Sequence, residues 1–153
     1  MRIFIVCKVR GVAEDSEEYR RQKEYVDSLR ERGHIVHWPH QNTEQKDPEH
    51  GTRICRTTFG AIFRADEVHV IYDPTSEGFV ADLMMTFALD EFGKRTFITA
   101  GRRRVIIVNP EAVEQKIKEE IEQQSAQGID PQFAKSYTMV LKNLADETSS
   151  VQH

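Results

Sequence analysis

The chain has few of the features that mark disulfide-rich, secreted or membrane proteins. Only two of its 153 residues are cysteine, Cys7 and Cys55, which is too few for a disulfide framework. The opening apolar run, residues 2–7, is too short for the core of a signal peptide or for a membrane span. We therefore expect one domain, residues 1–153, in a reducing cytoplasm.

Positive charge is also scarce, and no internal repeat or low-complexity tract is present. The chain has 21 Lys and Arg residues against 25 Asp and Glu residues, a formal net charge of −4. Proteins that bind nucleic acid non-specifically are usually basic. We therefore expect neither a nucleic acid nor a membrane as partner.

What the chain does have is a regular alternation of short apolar runs and amphipathic stretches. The pattern predicts strands at residues 2–7, 35–36, 68–72, 96–99 and 104–108. It predicts helices at residues 16–32, 53–64, 79–92, 110–124 and 131–144. This order predicts an α/β fold: a three-layer, flavodoxin-like or Rossmann-like domain with a mainly parallel sheet of about five strands.

Boundaries within the domain follow from the same pattern. Residues 1–109 form the α/β core, residues 110–145 add C-terminal helices and residues 146–153 form a frayed tail. Only residues 100–103 separate the last two strands, which is short for a parallel crossover. Those strands form an antiparallel hairpin, or one of them lies outside the sheet. In the helix at residues 53–64, the candidate core positions are Ile54, Phe59 and Phe63.

In a parallel sheet, ligands bind beyond the carboxyl ends of the strands. Those ends lead into residues 7–11 and 73–78, so these loops are the candidate site. Ser76 is a candidate N-cap of the next helix, and Gly78 lets a ligand approach the backbone closely. The free N–H groups and the positive end of the helix dipole suit a phosphate or a sugar hydroxyl.

Asp82 lies in the second turn of that otherwise apolar helix. An unpaired buried carboxylate is costly, so either a ligand or an ion pair, for example with an arginine, explains it. A carboxylate beside C1 of a sugar can attack that carbon or stabilise an oxocarbenium-like transition state. Two further residues have two interpretations each: Asp73 forms a turn or binds ribose, and Arg10 binds phosphate or is a solvated turn residue.

Other conspicuous residues have plain structural interpretations. His34, His37 and His40 fall on an extended stretch and cannot share one face, so we expect no metal site. Cys55 has no local histidine partner and is interpreted as structural. The run of arginines at residues 102–104 is interpreted as a solvated turn.

Two segments of the chain resemble one enzyme family. The first is IFIVCKVRG at residues 3–11, followed by an acidic pair and an amphipathic helix; the second is ADEV at residues 65–68, followed by PTSEGFVADL at residues 74–83. They are similar to the opening strand and the strand–loop–helix of the nucleoside 2-deoxyribosyltransferases. The Arg10-Gly11 turn and Ser76 are most similar to the branch that hydrolyses deoxynucleoside 5′-monophosphates. The resemblance covers roughly residues 2–98.

The resemblance implies an enzyme of the 2-deoxyribosyltransferase or N-hydrolase type, which acts on the N-glycosidic bond of a deoxynucleoside or its 5′-monophosphate. Asp82 would be the nucleophile or cation stabiliser, and water or a second base would accept the sugar. No cofactor or metal is implied. A homo-oligomer, with a dimer as first expectation, is implied because family members commonly complete the site with a neighbouring subunit. The implied substrate-binding residues are Lys8, Arg10, Gly11, Asp73, Ser76 and Gly78.

The chain also departs from the family pattern. The family has Glu where this chain has Asp82, and its second carboxylate falls at Thr58, which cannot serve as an acid. A rival interpretation is therefore a non-catalytic nucleotide-binding or sensing module on the same fold. A replacement acid in the cleft would discriminate between the two, and the candidates are Glu14, Asp15 and Glu77.

Overall fold

The computed structural model describes residues 1–96 and 103–150. The strands of the described chain are β1 (Arg2–Val6), β2 (Ile35–His37), β3 (Glu67–Val70) and β4 (Arg104–Ile107). The helices are α1 (Glu17–Glu31), α2 (Pro39–Asn42), α3 (Thr52–Arg64), α4 (Phe79–Thr96), α5 (Pro110–Ala126) and α6 (Tyr137–Thr148).

The four strands form one parallel sheet in the order β2-β1-β3-β4. Phe4 on β1 lies opposite His37 on one side and Val68 on the other, which sets the register. The predicted α/β class and parallel sheet are confirmed. The predicted strand at residues 96–99 begins at Thr96, which is the last residue of α4, and residues 97–99 lie outside the described residues.

Side chains alternate across β1 and separate two apolar cores, one on each face of the sheet. Ile3 and Ile5 pack with Val26 and Leu29 of α1 and with Trp38. Phe4 and Val6 face the opposite core, to which α3, α4, α5 and α6 contribute. Helices therefore lie on both faces of the sheet, which gives a three-layer arrangement.

Helix α3 buries a different face from the predicted one. Phe59 and Phe63 are 45% and 54% exposed, whereas Thr58, Ala61 and Ile62 are buried. Ile54, the third predicted core position, is only partly buried and lines a cleft. The buried face instead carries two small residues beside Ile62, which let the helix backbone approach the sheet closely.

Arg103 is buried rather than part of a solvated turn. Its Nε donates a 2.7 Å hydrogen bond to the Ile62 carbonyl oxygen, and its Nη2 donates to the Phe63 carbonyl oxygen. Both carbonyls lie in the last turn of α3, where the Ile62 oxygen also accepts from Ala65 N at 3.1 Å and a cation complements the helix dipole. Arg103 therefore fixes the end of α3 against the start of β4.

The C-terminal helices belong to the core; the predicted start of α5 at Pro110 is confirmed, whereas the predicted bounds of the last helix are wrong. Residues Pro131–Phe133 form only a 3-10 turn, and Ser136 begins α6 by accepting a 2.9 Å hydrogen bond from Met139 N. The predicted fraying from residue 146 is also wrong as far as Thr148, which is fully buried. Its hydroxyl accepts from Val105 N at 2.9 Å, so β4 holds the end of α6 in place.

Within residues 1–96 and 103–150, no helix has both the length and the apolar character needed to cross a membrane.

Candidate functional site

A cleft of about 650 Å³ opens beyond the carboxyl ends of β1 and β3. β1 and β3 are neighbours in the sheet while the chain crosses from β1 to β2 on the other side, so this is the switch point where doubly wound folds bind ligands. The volume lies in the range of small-molecule sites. Six of the seven predicted site residues line it, namely Lys8, Arg10, Gly11, Ser76, Gly78 and Asp82.

Asp82 projects from the first turns of α4 into this cleft, and its backbone N–H donates to the Gly78 carbonyl at 3.1 Å. Among the described residues, no hydrogen bond or ion pair reaches its carboxylate, so the ion-pair interpretation finds no arginine here. Burial without a compensating partner raises the pKa of Asp82 to about 7. The carboxyl group is thus close to half-ionised at neutral pH.

Cys7 lies beside Asp82 in the wall of the cleft and is buried, as predicted. Burial raises the pKa of its thiol to about 12, partly offset by a hydrogen bond with Trp38 and reinforced by the negative charges of Asp82 and Glu18. The thiol therefore stays neutral at physiological pH. It adds no competing charge next to the carboxylate.

Lys8 joins the two loops that frame the cleft. Its ammonium donates a 2.7 Å hydrogen bond to Thr75 Oγ1 and lies 3.8 Å from Asp73 Oδ2. An ammonium has three donors, so this arrangement leaves capacity for a ligand. The cation sits at the cleft wall on the side of the loop at residues 73–78.

Asp73 lies behind Lys8 and does not line the cleft. Its Oδ1 accepts from the N–H of Thr75 at 2.7 Å and from the Thr75 hydroxyl at 2.6 Å, which is an Asx turn. Burial acts to raise its pKa, but the hydrogen bonds from Thr75 and the charge of Lys8 outweigh it and hold the pKa below its usual range. This geometry matches the turn interpretation rather than direct contact with a ribose.

Arg10 and Glu77 form an ion pair of 3.1 Å at the rim of the cleft. Both side chains are largely exposed, at 71% and 75%, so the pair itself adds little stability. Gly11 follows with φ 77°, a left-handed conformation that glycine adopts without strain. Gly11 thereby turns the chain at the rim and keeps Arg10 at the cleft mouth.

Helix α4 begins without a side-chain cap, contrary to the prediction for Ser76. Gly78 occupies the N-cap position, and the backbone oxygen of Ser76 accepts from Phe79 N at 3.4 Å. The N–H groups of Val80 and Ala81 have no hydrogen-bond partner among the described residues. A Cβ on Gly78 would meet no protein atom within 4 Å, so this end of the helix is open to an anionic ligand.

The side of the cleft formed by α3 carries Thr58 and Cys55, one turn apart. Thr58 is buried, and it stands where the resemblance places a second carboxylate. Cys55, interpreted from the sequence as a structural residue, is exposed and lines the cleft. Besides Asp82, the one carboxylate that lines the described cleft is Glu77, which is directed to Arg10.

Two residues that sequence reasoning missed hold the backbone of Lys8. Gln22, buried on α1, donates from Nε2 to the Lys8 carbonyl at 3.1 Å, and His40 Nε2 lies 3.2 Å from the same oxygen. A carbonyl only accepts, so His40 carries a proton on Nε2. The sequence signal for Gln22 was its position, because it is a polar residue at helical spacing from Val26 and Leu29 on the buried face of α1.

Asn109 was also missed, and it fixes the second loop. Its Oδ1 accepts from Tyr72 N at 2.8 Å and its Nδ2 donates to Tyr72 O at 2.9 Å. The side chain thereby continues the sheet ladder beyond the last residue of β3. It aligns the start of the loop at residues 73–78.

The described residues contain no group of three His, Cys, Asp or Glu side chains arranged to hold a metal ion. His37 Nε2 lies 2.9 Å from Thr43 Oγ1, while His40 is engaged with Lys8.

Comparisons with protein-family models, with curated proteins and with solved structures found no match to this chain. Its function therefore has to be argued from the cleft.

Proposed function

We propose that this protein acts on the N-glycosidic bond of deoxynucleosides or their 5′-monophosphates, as a 2-deoxyribosyltransferase or an N-hydrolase of the resembled family. The observation that carries the proposal is Asp82. It is a carboxylate without a protein partner among the described residues, in a cleft of about 650 Å³ at the switch point of a parallel sheet.

Asp82 is the reacting group in this proposal. In its ionised form it attacks C1 of the deoxyribose, or stabilises positive charge there, while the bond to the base breaks and the base leaves with the bonding electrons. Water or a second base then takes the sugar. Since burial keeps the pKa near 7, the carboxylate is only partly ionised at neutral pH. The rate is therefore expected to rise with pH up to about 7 and then to level off.

The 5′ end of the substrate meets the positive side of the cleft. The Lys8 ammonium, the Arg10 guanidinium and the unpaired N–H groups at the start of α4 favour a phosphate there. Gly11 and Gly78 add no side chain that would obstruct it, and Ser76 offers a hydroxyl. Asp73 acts through Lys8 and Thr75 rather than on the substrate, because it lies behind them.

A second candidate is a non-catalytic nucleotide-binding or sensing module. Thr58 favours it, because the α3 side of the described cleft presents a hydroxyl where the resembled enzymes have an acid. Of the three candidate replacement acids, Glu14 and Asp15 do not line the cleft, and Glu77 pairs with Arg10 at the rim.

A chromatographic assay for free base separates the two candidates. The protein is incubated with ribo- and deoxyribonucleosides and their 5′-monophosphates, with and without an acceptor base, while calorimetry follows binding in parallel. Base release supports the enzyme, and its dependence on the acceptor distinguishes transfer from hydrolysis. Binding without base release rejects the enzyme in favour of the binding module.

We also propose a homo-oligomer, first a dimer. The exposed rings of Phe59 and Phe63 stack at 6.3 Å on the outer face of α3, next to the cleft residue Cys55. Sedimentation equilibrium of the wild type and of Phe63→Ser tests this. A monomeric wild type contradicts it, whereas a dimer that Phe63→Ser dissociates supports it.

A further inference from the structure

A second cavity, which we call the basic groove, lies at the opposite edge of the sheet from the cleft. Its volume is about 370 Å³. It runs beneath the edge strand β2 and along the last two turns of α3. It is lined by Arg2, Ile3, Ile35, His37, Ala61, Arg64 and Ala65.

The groove concentrates positive charge in a protein whose net charge is negative. Two arginines and a histidine line it, and no carboxylate does. Within residues 1–96 and 103–150, neither the Arg2 nor the Arg64 guanidinium forms an ion pair. The nearby acid Asp66 does not line the groove; its Oδ2 accepts a 2.7 Å hydrogen bond from the backbone N–H of Arg2.

Arg64 lies in space that a glycine leaves free. Gly60 is one turn earlier on α3, and a Cβ there would lie 3.3 Å from Arg64 Nη1. Glycine inside a helix is less favourable than alanine. The missing side chain at Gly60 thus allows the guanidinium to fold back along the helix.

His37 faces the same groove from β2. Its ring stacks on Phe4 with centroids 5.2 Å apart, and its Nε2 is engaged with Thr43. Burial, and then the positive charge of Arg64, lower the pKa of His37 below its usual range. His37 is therefore harder to protonate beside Arg64, and a bound anion would favour its protonated form.

We propose that the basic groove binds a small anionic molecule. Its phosphoryl or carboxylate group lies between the guanidinium groups of Arg2 and Arg64 and faces His37. Guanidinium groups match either anion bidentately. The apolar part of the ligand lies against Ile35, which is 67% exposed, and against Ala61. This site is independent of the proposed reaction at Asp82.

The test follows the ring resonances of His37 by NMR during titration of the whole protein with inorganic phosphate, phenyl phosphate, benzoate and benzyl alcohol. Phosphate or a phenyl-bearing anion should shift the resonances saturably, and benzyl alcohol should not. Preference for phenyl phosphate or for benzoate identifies the phosphoryl or the carboxylate as the ligand group. Arg64→Gln should weaken binding about tenfold or more, a loss of about 1.4 kcal/mol or more.

Two matched controls make the result specific. Arg56→Gln removes an exposed arginine from the same helix, outside the groove, and Lys8→Gln removes the cleft cation; both should bind the anion as the wild type does. Absence of a saturable shift overturns the proposal. Equal binding of benzyl alcohol, or equal weakening by Arg56→Gln and Arg64→Gln, overturns it as well.

Discussion

Lys8 and Thr75 are joined across the cleft wall by a 2.7 Å hydrogen bond from the ammonium to the hydroxyl. The contact links the loop after β1 to the loop after β3. The Thr75 hydroxyl in turn donates a 2.6 Å hydrogen bond to Asp73 Oδ1, so Lys8, Thr75 and Asp73 form one hydrogen-bonded chain. The candidate phosphate-binding cation is thus held by the loop that leads into the helix carrying Asp82.

The first prediction concerns stability and pH. Burial raises the folded-state pKa of Asp82 from its usual value of 3.8 to about 7, so ionisation of this carboxyl destabilises the fold. The penalty is absent at pH values below the pKa that Asp82 has in the unfolded chain. It grows as the pH rises and is complete above a pH of about 7. It amounts to at most about 4 kcal/mol.

Asp82→Asn removes that penalty and should stabilise the protein at pH 8 by about 2–4 kcal/mol, with little effect at pH 4. Urea unfolding of both proteins at the two pH values measures the difference. Equal stability of the two proteins at pH 8 would mean that Asp82 is ionised at no cost in the fold.

The second prediction concerns the hydrogen bonds that His40 and Gln22 donate to the Lys8 carbonyl oxygen. His40→Phe keeps the aromatic ring beside Trp38 but removes the Nε2 donor, whereas His40→Gln retains a donor at the same reach. His40→Phe should weaken binding of a deoxynucleoside 5′-monophosphate, measured by calorimetry, and His40→Gln should largely restore it.

Gln22→Met should act in the same direction and also lower the free energy of unfolding by about 1–3 kcal/mol, because it leaves the partly buried Lys8 carbonyl with one partner fewer. Acid should not release the His40 contact, since protonated histidine still donates from Nε2. Identical affinities for His40→Phe and His40→Gln would show that the donor has no positioning role.

The third prediction concerns Asn109. Asn109→Ala removes both hydrogen bonds to the Tyr72 backbone and should cost about 1–3 kcal/mol in urea unfolding. It should also weaken nucleotide binding, because the loop at residues 73–78 loses its alignment. Asn109→Asp keeps the acceptor for Tyr72 N, so its free energy of unfolding should lie between that of Asn109→Ala and that of the wild type. An unfolding midpoint unchanged by Asn109→Ala would rule out this role.

The sequence predicted the parallel sheet and the cleft because both depend on local patterns. Apolar runs of strand length and the position of loops at strand ends are visible without tertiary contacts. Asp82 was recognisable because a carboxylate on an apolar helix needs an explanation.

The errors share one cause, which is that tertiary contacts decided the outcome. Thr148 stays ordered because the N–H of Val105 needs an acceptor, and Arg103 is buried because carbonyl oxygens in the last turn of α3 accept its hydrogen bonds. Gln22 and Asn109 were missed since their partners are backbone atoms distant in sequence. A pattern of residue types along the chain does not predict such long-range contacts.

The most direct test of the account is the rate of base release from a deoxynucleoside 5′-monophosphate by the wild type, Asp82→Asn and Asp82→Glu at pH 7.5. Circular dichroism confirms that each variant is folded. The account predicts release by the wild type and a loss of about 100-fold or more in Asp82→Asn, with part of the activity retained in Asp82→Glu. Release by Asp82→Asn at the wild-type rate would contradict the role of Asp82, and no release by any of the three would contradict the enzyme itself.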